Sequence, residues 1–213
     1  MNLNLKIRTY LLSFLIRCIN PVNAHNFAKF SQIYKIWNNI KLDSIEGDYI
    51  EFGIFKGKSL FHSVKTAISI KEDKDRFFWG LDSFEGFPED NHDFYTQTNF
   101  STDKEKVTRD FRKYKNVKII EGFFDKSIEK QELKGIEKLS FAFIDCDIYE
   151  SAEIAFKFIH EKISNGGFVM IDDFTSIDKN GNYIAKSFFN IFENREVVFF
   201  DSYSNGQTFR ILN

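Results

Sequence analysis

Scarcity frames this chain of 213 residues: it holds two cysteines, two prolines and two methionines. Cys18 and Cys146 stand alone and no CxxC occurs, which excludes a zinc ribbon or a thioredoxin-type site. A disulfide framework is excluded as well, and the cytosol is the expected compartment. Charge of one sign is lacking too. The 29 basic and 31 acidic residues leave a net −2, without the basic surplus of a nucleic-acid binder. Long apolar runs are absent. Tyr10–Ile16 is apolar over seven residues, whereas a membrane span needs about 20. The stretch Cys18-Ile19-Asn20-Pro21 makes a poor signal-peptide cleavage site. The N-terminal segment therefore reads as an amphipathic helix that packs on the domain or on a partner subunit, the latter pointing to a homo-oligomer, with contact to a membrane surface as the alternative.

What the chain does have is phenylalanine, 27 in all, within an ordinary globular balance of 43% hydrophobic and 28% charged residues. An aromatic-rich core is the expected use. The length suits one domain, with residues 1–45 as a helical extension and 46–213 as the core. Between Pro21 and Asp43, residues Phe27, Phe30, Ile33, Tyr34, Trp37 and Ile40 recur every three or four positions, as on one helix face. Short apolar runs then alternate with helical stretches. The predicted strands are 49–52, 77–81, 117–120, 139–144, 167–171, 197–200 and 208–212, with helices over 59–70 and 151–163 among the connections. Alternating strand and helix implies a mostly parallel sheet covered on both faces. The last two strands, joined through Asn205-Gly206, read as an antiparallel hairpin at an edge.

Ligands of such sheets bind beyond the carboxyl ends of the strands, so those ends carry the functional argument. The first gives Glu51-Phe52-Gly53-Ile54-Phe55-Lys56-Gly57-Lys58-Ser59. GxGxxG fails here, and a P-loop is one residue short between its glycines. The acidic-x-Gly-x-x-x-Gly loop of S-adenosylmethionine (SAM) enzymes fits without gaps, with Glu51, Gly53 and Gly57 at the amino-acid end of the cofactor. Lys58 and Ser59 read as solvated first-turn residues, Ser59 near enough to the loop to count among the cofactor contacts. The second strand ends in Asp82-Ser83, and a carboxylate there is placed for ribose hydroxyls. Gly122-Phe123 follows the third strand, near the place of an adenine. The fourth and fifth strands end in Asp145-Cys146-Asp147 and Asp172-Asp173. Asp145, Asp172 and Asp173, with no paired Lys or Arg, would repel one another. A hard divalent cation, Mg²⁺ above all, resolves that. Asp147 with Glu150 also reads as a capping-box-like helix start. A metal-dependent glycosyltransferase using Asp145–Asp147 as a DxD motif is an alternative, though it leaves the Glu51–Gly57 loop and Asp82 unexplained. A non-enzymatic assembly subunit is a further one, but no expected ligand is missing.

Together, 49–57, 81–88, 145–151 and 166–174 resemble the macrocin O-methyltransferase family. The resemblance implies a Rossmann-like class I SAM methyltransferase fold with a seven-stranded, mostly parallel sheet. It implies Mg²⁺-dependent O-methylation of a hydroxyl on a sugar, whether a small molecule or a glycan; a catechol-type acceptor is also chemically compatible. It further implies a metal site of Asp145, Asp172 and Asp173, with Asp145 as candidate base. Family members commonly have Gly where Cys146 stands, and Cys146 is expected to pack inward. Glu89–Phe100, with His92, is expected to form a mobile lid, with His92 solvated. His25, His62 and His160 are given no role.

Overall fold

The computed structural model describes residues 3–87, 100–178 and 180–213. Two helices open the chain, α1 (Leu3–Cys18) and α2 (Pro21–Leu42). Pro21 opens α2, where its missing N–H costs nothing, and the Asn20 side chain accepts from Val22 N at 2.9 Å. There follow β1 (Asp48–Phe52), α3 (Lys58–Ile70), β2 (Phe78–Asp82), α4 (Lys104–Phe111), β3 (Val117–Glu121), α5 (Phe124–Ser127), α6 (Gln131–Lys134) and β4 (Leu139–Ile144). The chain ends with α7 (Tyr149–His160), β5 (Ile163–Ile171), α8 (Ile184–Ile191), β6 (Glu196–Tyr203) and β7 (Gly206–Leu212).

The seven strands form one sheet in the order β3-β2-β1-β4-β5-β7-β6. The first five are mutually parallel, and β7 lies antiparallel to both β5 and β6. The chain starts in the middle of the sheet, runs to one edge, returns to β4 and continues to the other edge. That reversal between β1 and β4 is where a ligand crevice opens in a doubly wound sheet.

Each central strand is buried on both faces, so its alternation sorts residues between two cores. Tyr49, Phe141, Phe143, Phe168 and Met170 face α2 and α3, with Ile33, Ile36, Trp37, Ile40, Leu60 and Val64. Ile50, Phe52, Ala142, Ile144, Val169 and Ile171 face α7 and α8, with Ala155, Phe156, Ile159 and Phe188. The phenylalanine surplus is therefore core, as its abundance predicts. Trp37 stacks at tilted or edge geometry on Tyr49, Phe78 and Phe141, and its indole N–H donates to Ser63 Oγ at 2.7 Å.

The helix predicted over 151–163 runs too far. The last turn closes with Lys162 N donating to Ile159 O, and Ile163 opens β5 beside Leu139. An isoleucine at helical spacing suits a strand's first residue equally well, which is why periodicity misplaces it. The hairpin turn is tighter than expected, with only Ser204 and Asn205 between Tyr203 and Gly206. Among the described residues, no helix is long and apolar enough to cross a membrane.

Candidate active site

A cleft opens at the carboxyl ends of β1, β2 and β4, lined by Gly53, Phe55, Asp82, Ser83, Phe123, Asp145, Cys146 and Asp147 among others. Gly53 has φ +90°, and a Cβ there would lie 1.9 Å from the Asp145 carbonyl oxygen, so only glycine lets the ends of β1 and β4 come this close. Asp82 Oδ2 accepts Phe55 N–H at 2.6 Å and its Oδ1 accepts Phe84 N–H at 2.7 Å. Burial raises its pKa, and those backbone donors hold the rise down. Ser83 donates to Gly86 O at 2.9 Å. Phe55, Phe84 and Asp147 all take positive φ without being glycine. Such strained backbone gathers at ligand sites.

Glu51 and Ser59 behave differently from expectation. Glu51 points from β1 toward α3 and is fully buried; Tyr49 OH and Ser59 Oγ donate to its two oxygens. Burial pushes its pKa up to about 7, against those two hydrogen bonds. Ser59 is thus buried rather than solvated: its hydroxyl anchors α3 to β1, while the residue also borders a second cavity with Asn26, Lys29, Gly53 and Asp145. Lys58 is exposed, as expected. Gly57 takes φ +70° at the start of α3, against Phe111 and Val107, and Gly122 has φ +128° beside Ser127. Both shape their turns, and neither is among the residues lining the cleft.

The acidic cluster has a cation that the local sequence did not announce. Lys29 Nζ, on α2, lies 2.9 Å from Asp145 Oδ2 and 2.7 Å from Asp172 Oδ2. His25 Nε2, one turn earlier, lies 3.2 Å from Asp172 Oδ2, and Tyr203 OH donates to Asp172 Oδ1 at 2.7 Å. Burial alone would lower the Lys29 pKa, but Asp145 and Asp172 raise it well above the ordinary lysine range. Asp172, although buried, is held well below the usual carboxylate range by His25 and Lys29. Burial and the charge of Asp172 raise Asp145. The expectation of carboxylates without a partner cation is therefore corrected: a distant helix delivers one. Asp173 shares a hydrogen bond with Asp147, whose pKa rises through burial and that contact. The capping reading of Asp147 also falls, since Ile148 is the residue that caps α7. Cys146 packs into the core, as expected.

These strand ends match a known family. Its sequence profile, described as macrocin-O-methyltransferase (TylF), covers residues 25–195. The chain belongs to the macrocin-O-methyltransferase family. Relatives of the chain include the demethyldecarbamoylnovobiocin O-methyltransferase of Streptomyces niveus, 25% identical over 171 residues that make up 72% of this chain and 64% of that protein. The mycinamicin III 3''-O-methyltransferase of Micromonospora griseorubida is 26% identical over 72% of this chain and 66% of its own. A Streptomyces olivaceus enzyme, 8-demethyl-8-(2,3-dimethoxy-alpha-L-rhamnosyl)-tetracenomycin-C 4'-O-methyltransferase, is 30% identical over 62% and 54%. The chain thus spans less than two thirds of the length of these relatives. In fold it resembles the O-methyltransferase NovP (TM-score 0.69, 21% identity, covering 87% of this chain and 80% of that one). It also resembles the calicheamicin methyltransferase CalS11 (TM-score 0.70, 15% identity, covering 99% and 93%). The class I SAM methyltransferase fold that the family resemblance implies is the fold observed.

Does a macrocin-O-methyltransferase site of this composition suit a divalent metal? By donor chemistry it does. Four carboxylates, Asp145, Asp147, Asp172 and Asp173, stand at two adjacent strand ends near one lysine, and the surplus of acidic donors is of the type a hard cation takes. Among the described residues, however, no three Asp, Glu, His or Cys side chains converge on one point, and Lys29 sits on two of the three expected ligands. A metal entering here has to displace that ammonium. The lid expected over Glu89–Phe100, with His92, lies outside the described residues except for Phe100.

Proposed function

We propose that this chain is a SAM-dependent, Mg²⁺-dependent O-methyltransferase that methylates a hydroxyl of a sugar. The observation that carries the reading is the single cleft in which Gly53, Asp82 and Phe123 meet Asp145 and Asp147. A cofactor face and an acidic, proton-accepting face share one wall. The names of the relatives, which include a rhamnosyl and a mycinamicin acceptor, support a sugar rather than a catechol. They also set the glycosyltransferase reading aside. Both cysteines are free, which suits a reducing, cytosolic compartment.

Each residue has a task in this reading. Asp82 accepts backbone N–H groups on both oxygens, and a carboxylate has about four acceptor positions, which leaves capacity for the ribose hydroxyls. Gly53 leaves room for the amino-acid end, and Phe123 flanks the adenine. Asp145, its basicity raised by burial and by Asp172, accepts the proton of the acceptor hydroxyl. The acceptor oxygen then bonds to the methyl carbon as the carbon–sulfur bond breaks, releasing S-adenosylhomocysteine and a methyl ether. With Lys29 displaced and Asp173 released from Asp147, Asp145, Asp172 and Asp173 would hold Mg²⁺, which would make the acceptor hydroxyl more acidic. Holding both reactants in line contributes at most about 7–11 kcal/mol to lowering the barrier.

The test is titration of S-adenosylhomocysteine by calorimetry, followed by methyl transfer to TDP-rhamnose and to macrolide glycosides. Wild type should bind S-adenosylhomocysteine. Asp145→Asn should retain that binding while losing at least about a hundredfold in transfer, as removal of a general base does. Failure of wild type to bind S-adenosylhomocysteine with or without Mg²⁺ would sink the proposal.

A further inference from the structure

The net charge of −2 conceals a division. Residues 1–42 contain Lys6, Arg8, Arg17, Lys29, Lys35 and Lys41 and no acidic residue, whereas the remainder carries eight more acidic than basic residues. Lys29 is committed to Asp145 and Asp172, Lys35 to Asp201, and Lys41 to the Ile70 carbonyl. The charges of α1, namely Lys6, Arg8 and Arg17, are all positive.

α1 also displays its described apolar side chains to solvent. Ile7, Tyr10, Leu11 and Phe14 follow the three-four spacing of one helix face, and they are 57%, 76%, 57% and 56% exposed. None of the described residues of α1 enters either core. The apolar surface continues through Ile19 and Val22, both exposed, and Val22 borders the cavity that holds Lys29, Gly53 and Asp145. The helix has 16 residues, about 24 Å at 1.5 Å per residue, too short to cross a hydrocarbon core of about 30 Å.

We propose that α1 docks in the plane of an anionic lipid bilayer, apolar face inward, and so brings the α2 side of the active-site cleft to the membrane surface. Exposed apolar side chains, Leu12 among them, set among charges that are all basic suit an anionic lipid surface. Pairing of two α1 helices from two copies would instead bring like charges together. Membrane docking suits an acceptor saccharide carried on a lipid, although the docking itself does not depend on the methyltransferase reading.

Vesicle flotation of the full chain tests this, using phosphatidylcholine vesicles with and without phosphatidylglycerol at low and high salt. Wild type should float with the anionic vesicles, and high salt should weaken binding as it screens the charges. Leu11→Glu combined with Phe14→Glu should reduce binding at least about tenfold, the loss expected when two large side chains leave the apolar phase. Arg8→Glu should reduce it roughly tenfold on anionic vesicles alone. Circular dichroism confirms that the variants fold. Hydrogen exchange on wild type gives a check that needs no variant: amides of 3–18 should gain protection when anionic vesicles are added. Absence of flotation at low salt, or equal flotation on both vesicle types, overturns the proposal. So does light scattering that shows an α1-dependent dimer with no affinity for vesicles, which would make a second copy the occupant.

Discussion

A methyl group added at Gly53 would meet the Asp145 carbonyl oxygen at 1.9 Å, in a backbone conformation (φ +90°) that L side chains avoid. Gly53→Ala should therefore force β1 and β4 apart at the point where the cleft forms. The expected cost is on the order of 3 kcal/mol, strain and overlap together, with loss of S-adenosylhomocysteine binding; denaturant melts and calorimetry read the two effects. Glu51 offers a residue-scale test with a definite sign. Burial lifts its pKa from 4.5 to about 7 in the folded state. Between those values the unfolded chain has released its proton while the folded one retains it, so rising pH drains stability across that window and holds the loss above it. Glu51→Gln keeps an acceptor for Ser59 and removes the charge. Relative to wild type, the variant should gain about 2 kcal/mol more at pH 8 than at pH 5, measured by urea unfolding at both values. An equal difference at the two pH values would show that Glu51 does not carry this proton.

At the scale of elements, α2 decides the electrostatics of the site. Lys29→Met leaves Asp145 and Asp172 buried without their ammonium, a loss that costs about 3–5 kcal/mol when one partner of a buried pair is removed. If Lys29 occupies the place a metal would take, millimolar MgCl₂ should raise the melting temperature of Lys29→Met more than that of wild type. Equal shifts in the two proteins would rule out the competition. The strand ends were legible in the sequence because each carboxylate directly follows its own apolar strand, and parallel neighbours align such ends by necessity. Asp82, Asp145 and the Gly53 turn were read in that way. His25 and Lys29 were not, since their partners lie 147 and 116 residues away and local spacing carries no trace of such pairings. One signal did exist. Lys29 falls on the stripe of Ile33, Ile36, Trp37 and Ile40, all buried, and a lysine on the apolar stripe of a helix needs a buried carboxylate. Tyr203 was hidden for the same reason, because only the β7–β6 hairpin brings it back to Asp172.

For the whole molecule, the two N-terminal helices have opposite standing. α2 buries Ile33, Ile36, Trp37 and Ile40 against β1, β2, β4 and α3. At about 1.5–3 kcal/mol each, those four side chains contribute on the order of 10 kcal/mol, comparable to the entire 5–15 kcal/mol margin of an ordinary domain. α1 leaves Ile7, Tyr10, Leu11, Leu12 and Phe14 in solvent, and none of its described residues enters a core. Removal of residues 1–20 should then leave a chain that still unfolds cooperatively, with a melting temperature within about 4 °C of the full chain, as a stability change near 1 kcal/mol implies for this size. Removal of residues 1–42 should abolish the cooperative transition, because it exposes one face of the sheet and strips Asp145 and Asp172 of Lys29 and His25. Calorimetric scans of the two truncations decide the matter. A cooperative transition in the shorter chain would mean that β1–β5 hold their aromatic face without α2, and that the helix serves the active site alone.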